Sequence, residues 1–383
     1  MELYLHIPFC RQKCAYCDFA SWAGREAWIP AYVTAVLREA EQARMALGPQ
    51  GLITAFIGGG TPSLLPVDAL RRLLCGVQAL FPLEAGAEFT SEANPGTLTP
   101  QWLDAALSLG VNRLSLGMQA AQEQILRALG RIHTMAQVRE SVAMARRAGM
   151  QNLSLDLMFG LPGQTLADWS ESIDAALALE PEHLSCYGLI PEEGTPLGDA
   201  IARGEVELPP EETERAMYDL ALERLRRAGF LQYEISNFAR PGYACAHNLG
   251  YWRQTPYLGL GVAAASMLPG TDPEEAYRRR TNVRDLAAYL RQGQAGRFIP
   301  TEEERITPAQ ARFETMMLGL RTCEGVSERA FLTMHGIPLE EVYGQRLRAL
   351  AQRGLTEKAG EWWRLTRRGM DVQNAVLVEL MEE

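Results

Sequence analysis

The first half of the chain alternates between short apolar runs and longer amphipathic segments, and this alternation is the strongest constraint on its fold. The runs predict six β-strands: LYLHI, ITAFIGGG, EFTSEANP, NRLSLGMQ, LSLDLMFG and HLSCYGLI. Helix-length segments separate them, including residues 28–47 and 67–81. Strands joined by helical crossovers form parallel β/α units. An open doubly wound sheet would fit this order, but no GxGxxG follows the first strand, and the regular repetition favours a barrel or partial barrel.

Polar side chains occupy the position where four of these strand patterns end. They are Thr61, Glu92, Gln119 and Asp156. In β/α barrels the carboxyl ends of the strands carry the active site, whereas the opposite end carries stability. Any one of these residues could equally cap the following helix. Four such residues at the same end of successive strands favour a functional site.

Three cysteines, Cys10, Cys14 and Cys17, follow the first strand with the spacing CxxxCxxC. Thiolates are the usual ligands of iron–sulfur clusters, and four of them normally bind a [4Fe–4S] cube. Three would leave one iron without a protein ligand. A zinc site would need a fourth ligand, for which His6 is the only nearby candidate. Because His6 lies inside the first strand pattern, the cluster is the favoured interpretation. We interpret three isolated cysteines as core residues: Cys75, Cys186 and Cys323.

This cysteine spacing, with Tyr16 before the last cysteine and a β/α barrel around it, resembles the radical S-adenosylmethionine (SAM) superfamily. The resemblance implies that the open iron of a [4Fe–4S] cluster binds SAM. It also implies that an electron from the cluster cleaves SAM to a 5′-deoxyadenosyl radical, while the protein positions the cofactor and excludes water. The implied fold class is α/β, with a radical SAM partial (β/α)6 barrel.

Further segments resemble the oxygen-independent coproporphyrinogen III dehydrogenase-like branch of that superfamily, over roughly the whole chain. They are SEANPGTL, NRLSLGMQ, LGRIHT, LSLDLMFGLPGQT and EEGTPL. In FIGGGTPSLL, the resemblance implies that glycine backbone approaches the methionyl amino group of SAM, which needs the absence of a side chain. Arg131 suits the methionyl carboxylate, and Gln119 and Asp156 suit ribose hydroxyls. The implied SAM-binding residues are Tyr4, Tyr16, Gly59, Gly60, Thr61, Glu92, Gln119, Arg131 and Asp156.

Two functions compete within this branch: oxidative decarboxylation of coproporphyrinogen III through the 5′-deoxyadenosyl radical, and haem delivery by the HemW-like haem chaperone family. The dehydrogenases carry a long arm before the cluster, which we do not expect before Cys10, and a further cysteine where Phe19 stands. The stretch HNLGYW resembles the HNxxYW motif of the chaperones. We therefore expect a haem chaperone without coproporphyrinogen dehydrogenase activity.

The haem-binding residues implied by this motif are His247, Asn248, Tyr251 and Trp252. His247 would be an axial ligand of the iron, and the two aromatic rings would cover a porphyrin face. On residues alone, a loop histidine beside Tyr and Trp is more typical of a packed aromatic cluster. Because His247 follows the six β/α units, we expect its replacement to leave the cluster and SAM undisturbed.

The alternation of strand-like and helix-like segments ends after Pro191, where a proline- and glycine-rich stretch begins. We predict three units: the barrel over 1–195, a connecting region with HNLGYW over 196–300, and a winged-helix-like domain over 301–383. The connecting region starts with a helix at 211–228 and continues as a stretch of loop residues and aromatics. The last unit makes the C-terminal region α+β, because GLTEKAGEWWRLTRRGM predicts two short strands around a turn and then a helix. We interpret it as a packing or lid domain.

The bulk composition limits the partners. A net charge of −10 argues against nucleic acid, because phosphate contacts need a basic face. No apolar run approaches about 18 residues, so we expect no transmembrane segment and at most a transient membrane association. Seven cysteines and no signal-like N-terminal pattern predict a cytoplasmic location. The partners expected are haem, recipient haem proteins and a haem donor.

Overall fold

The computed structural model describes residues 1–381. Its first half contains the expected alternation of strands and helices, together with two 3-10 turns, Glu26–Trp28 and Pro62–Leu64. The elements are β1 (Glu2–Ile7), β2 (Phe9–Cys10), β3 (Trp22–Ala23), α1 (Ile29–Leu47), β4 (Leu52–Gly59), α2 (Val67–Leu80), β5 (Leu83–Ala93), α3 (Pro100–Ser108), β6 (Arg113–Gln119), α4 (Glu123–Ala128), α5 (Met135–Arg147), β7 (Asn152–Phe159), α6 (Leu166–Leu177) and β8 (His183–Gly188).

The six predicted strands form a parallel sheet in the order β1-β4-β5-β6-β7-β8, which confirms the partial (β/α)6 barrel. Helices cover its outer face, and every residue of β6 is buried, as expected for a strand enclosed on both sides. Local sequence sets the helix starts. Thr134 and Thr165 each close a capping box at the start of α5 and α6. The carboxyl ends of the six strands therefore meet at one rim.

The segment after β8 adds strands to both edges of this sheet. Its elements are α7 (Pro196–Ala202), α8 (Glu211–Arg227), β9 (Leu231–Gln232), β10 (Asn237–Ala239), α9 (Ala246–Trp252), β11 (Tyr257–Leu260), β12 (Ala265–Pro269), β13 (Tyr277–Thr281), α10 (Leu286–Ala295) and β14 (Glu302–Ile306). β10 pairs antiparallel with β8, and β11 pairs parallel with β1. The helix predicted at 211–228 is present as α8, but the strands that follow it were not predicted, because they are too short to carry a periodic pattern. The boundaries at 195 and 300 stay predictions.

The HNLGYW stretch forms helix α9 and not a loop, so the interpretation of His247 as a loop residue was wrong. The helix packs at the amino-terminal end of the barrel, where Glu2 begins β1. Its first amides, of Ala246 and His247, donate to the Glu88 carboxylate of β5 at 3.0 and 3.1 Å. At Gly250 a side chain would overlap the buried carboxyl group of Glu2. Glycine therefore lets α9 approach the barrel closely.

The C-terminal unit has its own hydrophobic core. It consists of α11 (Pro308–Gly319), β15 (Val326–Ser327), α12 (Glu328–His335), α13 (Leu339–Gln352), β16 (Thr356–Ala359), β17 (Trp362–Leu365), α14 (Arg367–Asp371) and α15 (Gln373–Leu380). Its three strands form an antiparallel sheet in the order β15-β17-β16. Helices followed by a small antiparallel wing confirm the winged-helix-like unit. Among residues 1–381, no helix has both the length and the apolar character needed to cross a bilayer.

The isolated cysteines differ in burial. Cys186 is buried in β8, as predicted, and Cys323 is half-buried. The interpretation of Cys75 as a core residue was wrong, because it is exposed. The buried face of α2 is formed by Leu70, Leu73, Leu74 and Val77.

Candidate functional site

The three clustered cysteines lie at the rim where the strands end. Cys10 is the last residue of β2, and Cys14 and Cys17 follow in a turn closed by a 3.2 Å bond from the Cys17 amide to the Cys14 carbonyl. The Ala15 amide ties this turn to the Leu129 carbonyl after α4, at 3.0 Å. All three thiols are free and line one cavity of about 470 Å³. The loop after β1 therefore opens its cysteines toward the barrel interior.

The donor set around the sulfurs suits an iron–sulfur cube. Thr61 Oγ1 lies 3.7 Å from Cys10 Sγ, and Arg131 Nη1 lies 3.6 Å from Cys14 Sγ. Burial raises the pKa of the Cys10 and Cys17 thiols, so a cationic centre is needed to hold both as thiolates. Within residues 1–381, no three His, Cys, Asp or Glu side chains gather closely enough to hold a single metal ion. A cube needs no such gathering, because its thiolates bind different irons.

His6 is not free to complete a zinc site. Its Nδ1 lies 3.0 Å from the Tyr4 hydroxyl, and its Nε2 lies 2.8 Å from the Ala20 carbonyl, to which it can donate. Desolvation lowers the pKa of His6, so the ring stays neutral and serves as a link between β1 and the cysteine loop.

The cavity brings together most of the predicted SAM residues. Tyr4 and Thr61 do not line it: Tyr4 stacks on Phe56, which does, and Thr61 is buried beside Cys10. Those that line it with the cysteines are Tyr16, Gly59, Gly60, Glu92, Gln119, Arg131 and Asp156.

The glycines at the end of β4 are required by close packing. Gly59 has a φ of 106°, and a side chain there would overlap the His6 imidazole. A Cβ on Gly60 would lie 2.8 Å from the carbonyl oxygens of Ile7 and Phe9. The absence of side chains leaves bare backbone on the cavity wall next to Cys10.

Arg131 is held rigidly beside the cysteines. Nη2 donates to Asn94 Oδ1 at 2.9 Å and to the Gly117 carbonyl at 2.7 Å. Nε donates to His133 Nδ1 at 3.3 Å, while His133 Nε2 lies 3.1 Å from the Met118 carbonyl. Burial, and then the neighbouring guanidinium, lower the pKa of His133 to about 4, so the ring is neutral and can accept this bond. Nη1 is left pointing at the cluster position.

Two carboxyl groups face the cavity. Glu92 accepts a 3.0 Å hydrogen bond from the Gly59 amide, and burial and then Asp156 raise its pKa to about 7. Asp156 accepts from the Ser115 hydroxyl at 3.1 Å, and burial raises its pKa as well. Near neutral pH, Glu92 can therefore change its charge in response to a cationic ligand.

Gln119 stands out by its backbone. Its φ is 64°, in the left-handed region that non-glycine residues seldom adopt, and the residue is 9% exposed. Such a conformation costs on the order of 1–3 kcal/mol and tends to occur at functional sites. The strained position aims the end of β6 into the cavity.

Sequence reasoning missed several cavity residues, of which Arg113 is the most unusual. It is 2% exposed, yet Nε has no hydrogen-bond partner. Arg113, Ser115, Gly117 and Gln119 all line the cavity, and this period of two along β6 is the signal that would have found them. Other missed residues include Phe56, Asn94, Ser185 and Tyr187, and Asn248, which was predicted for haem, lines this cavity as well.

Helix α9 divides its motif residues between different surroundings. Asn248 reaches the cysteine-lined cavity. His247 is 1% exposed, with Nδ1 2.7 Å from Thr54 Oγ1 and Nε2 2.9 Å from the Tyr251 hydroxyl. Trp252 lies on the other side of the helix, on a second cavity. Haem ligation by His247 stays a prediction, and it requires the ring to give up at least one hydrogen bond.

His247 is also coupled to the barrel. It stacks on Phe56, which lines the cysteine-lined cavity, with a ring separation of 5.2 Å. Its Nδ1 lies 3.9 Å from Glu2, but burial lowers the pKa of His247 to about 3 and raises that of Glu2 to about 8. Both groups are thus neutral near pH 7 and form no ion pair. His247 thus contacts the wall of the cysteine-lined cavity through Phe56, and the expectation that its replacement leaves the cluster and SAM undisturbed stays a prediction.

This open three-cysteine cavity at the carboxyl ends of a parallel barrel defines the chain as a radical SAM protein. The model of the Radical SAM superfamily matches residues 4–176, and that of the HemN C-terminal domain matches residues 306–372. Coproporphyrinogen III oxidase (HemN) from Escherichia coli has a similar structure, with a TM-score of 0.83 and 20% identity over 99% of this chain and 89% of that one. Proteins of this class hold a [4Fe–4S] cluster and SAM.

Curated relatives narrow the class to a family. The heme chaperone HemW of Bacillus subtilis is 36% identical over 99% of both chains. HemW of Synechocystis is 40% identical over 85% of this chain and 78% of its own length. HemW of Escherichia coli is 36% identical over all of this chain and 98% of its own. The chain belongs to the HemW haem chaperone family.

Proposed function

We propose that this protein binds haem and transfers it to recipient haem proteins. The observation that carries the proposal is the identity with the Bacillus subtilis heme chaperone, which extends over 99% of both chains and so includes barrel, α9 and C-terminal unit. A shared barrel alone would not support it, because the likeness to HemN shows the fold only.

The proposal includes a resident [4Fe–4S] cluster on Cys10, Cys14 and Cys17, with SAM on its open iron. When bound, these groups supply one-electron reductive cleavage of SAM. The chain's own contribution is positioning. Arg131 Nη1 is directed at the cluster side and suits the methionyl carboxylate, while Gly59 and Gly60 expose backbone there.

The other predicted contacts with SAM involve residues on or behind the wall of the cysteine-lined cavity. Glu92 suits the methionyl amino group, because a carboxylate beside bare backbone complements an ammonium ion. Gln119 and Asp156 lie farther along the strands and suit ribose hydroxyls. Tyr16 lines the cavity next to Cys17, and Tyr4 and Thr61 support the wall from behind.

The recipient haem proteins, and a haem donor that loads the chain, are the expected partners, and any membrane association would be transient. We place the protein in the cytoplasm, because its seven cysteines are free and three of them must be reduced to hold the cluster. The acidic charge of −10 disfavours nucleic acid as a partner.

Anaerobic reconstitution with iron and sulfide, followed by two separate assays, tests this function. In the first, the protein is titrated with hemin and then mixed with an apo haem protein, and we expect the haem spectrum of the acceptor to appear. In the second, coproporphyrinogen III and SAM are supplied, and we expect no divinyl product. Stoichiometric decarboxylation would instead establish the dehydrogenase alternative. Absence of haem binding would refute the chaperone function.

A further inference from the structure

The outward face of α9 borders a cavity that the proposed SAM site does not use. His247 and Tyr251 turn toward the barrel, whereas Leu249 and Trp252 turn toward the C-terminal unit. Between α9 and the C-terminal unit lies a cavity of about 540 Å³, which we call the interdomain cavity. This volume lies in the range of small-molecule and cofactor sites.

The interdomain cavity has a mainly apolar wall built from both parts of the chain. Leu231 and Trp252 come from the barrel side, and Val326, Phe331 and Met334 come from the C-terminal unit. Leu231 is 59% exposed and Met334 is 50% exposed, although both are large apolar side chains. Leaving such surface in water is unfavourable, so an apolar ligand would stabilise this part of the molecule.

The polar groups of the cavity further restrict the chemical class of ligand that it can bind. Arg253 lies on its wall and pairs with Glu324 at 3.0 Å, with both side chains at least half exposed. Exposed ion pairs contribute little, so the guanidinium is available to a carboxylate at the edge of a ligand. Two sulfur side chains, Cys323 and Met334, also line the cavity. Sulfur ligands suit a haem iron.

The two sulfurs differ in their readiness to ligate. Burial raises the pKa of the Cys323 thiol to about 11, so it is protonated near neutral pH. The thioether of Met334 needs no deprotonation and lies 3.7 Å from Thr315 Oγ1, on the same wall. Methionine is an established axial ligand of haem iron.

We infer that haem is held in the interdomain cavity, flat against Trp252 and Leu249 of α9, with Met334 as an iron ligand and Arg253 facing a propionate. The inference rests on the proposed haem-carrying function and locates its site. It also gives the HNLGYW helix two separate roles, because its inward residues fasten it to the barrel and its outward residues form a wall of the haem site.

Filling the cavity tests its location in the reconstituted full-length chain. Ala330 is exposed and lines the cavity, whereas Leu332 lies on the same helix and lines a different surface. In hemin titrations, Ala330→Trp should weaken binding at least tenfold, and Leu332→Trp should bind as the wild type does. Equal binding by both variants would overturn the location and leave the chaperone function intact. Wild-type protein that binds no hemin would instead refute the function itself.

Fold integrity is checked by cluster content and circular dichroism in each variant. If Ala330→Trp fails this check, Ala330→Phe provides a smaller obstruction at the same position. The iron ligand is tested with Met334→Leu, which keeps the apolar wall and removes the sulfur. Because methionine ligation raises the haem reduction potential, this variant should show a lower potential and a changed Soret band. An unchanged potential and spectrum would overturn the assignment of Met334.

Discussion

Arg131 donates from Nε to Nδ1 of His133 at 3.3 Å, and this bond fixes the plane of the guanidinium. With Nη2 also engaged, only Nη1 is directed at the cysteine turn, 3.6 Å from Cys14 Sγ. A guanidinium group held in this way is preorganised to bind an anionic group beside the cluster. We therefore expect Arg131 to contribute to SAM binding.

Replacing Arg131 with Ala should weaken SAM binding by roughly 1.5–3 kcal/mol, because a charge-assisted hydrogen bond is lost. The iron content should not change, because Arg131 is not a thiolate ligand. Equilibrium titration of reconstituted protein with SAM measures the effect. Arg127→Ala is the matched control, since Arg127 lies on nearby α4 and its side chain is 73% exposed. Equal SAM affinity in both variants would remove Arg131 from the site.

Replacing Cys10, Cys14 or Cys17 with Ala should abolish the broad iron–sulfur absorbance and most of the bound iron, because each thiolate holds one iron. Cys75→Ala and Cys323→Ala should retain both signals, since these cysteines lie away from the cavity. Iron and sulfide analysis after anaerobic reconstitution provides the measurement. A full cluster in Cys14→Ala would contradict the assignment.

SAM affinity should rise as the pH increases through about 7. The pKa of Glu92 is raised to about 7 by burial and then by Asp156, so the carboxyl is mainly protonated below that pH and mainly ionised above it. SAM carries a sulfonium and an ammonium group, and both favour the ionised form. Titrations at pH values between about 6 and about 8 should show a several-fold gain, and Glu92→Gln should flatten it. An identical pH profile in that variant would show that another group titrates.

Gly250→Ala should destabilise the protein by about 1–3 kcal/mol, the usual cost of overpacking. The added methyl group would overlap the Glu2 carboxyl, which is 1% exposed and has little room to move. Thermal unfolding of the apo protein measures the loss. Combining the change with Glu2→Ala should cost less than the sum of the two single changes, because the overlap disappears. Strict additivity would show that α9 does not press on Glu2.

The sequence predicted the barrel well because its strands carry long apolar runs and its helices carry amphipathic ones. β4 and α2, for example, end within a residue or so of their predicted limits. The later strands escaped detection because β9 to β14 are short, and β13 reads YRRRT, which lacks an alternating pattern. Their existence depends on pairing with β8 and β1, which are distant in sequence.

The residues of the candidate site also differ in whether the sequence could predict them. The cysteines were found by their spacing, whereas Arg131 was implied by the resemblance of the LGRIHT segment to the family. The residues alone favoured a packed aromatic cluster around His247, and its ring does contact Phe56 and Tyr251. The place of that cluster was not predictable, because it depends on α9 returning to the amino end of the barrel after many intervening residues. Arg113 was visible in the period of two along β6, but only once β6 was known to face a cavity.

His247→Gln separates two assignments of the haem iron. The amide of glutamine can replace the hydrogen bonds to Thr54 and Tyr251, so α9 should stay in place. If Met334 ligates the iron, this variant should keep the wild-type Soret band and hemin affinity, and Met334→Leu should change them. If the buried imidazole is the ligand, the pattern is reversed, and haem transfer to an apo acceptor should fail in His247→Gln. Absorption spectra of both hemin-loaded variants, each with its cluster content measured, decide between the two ligands.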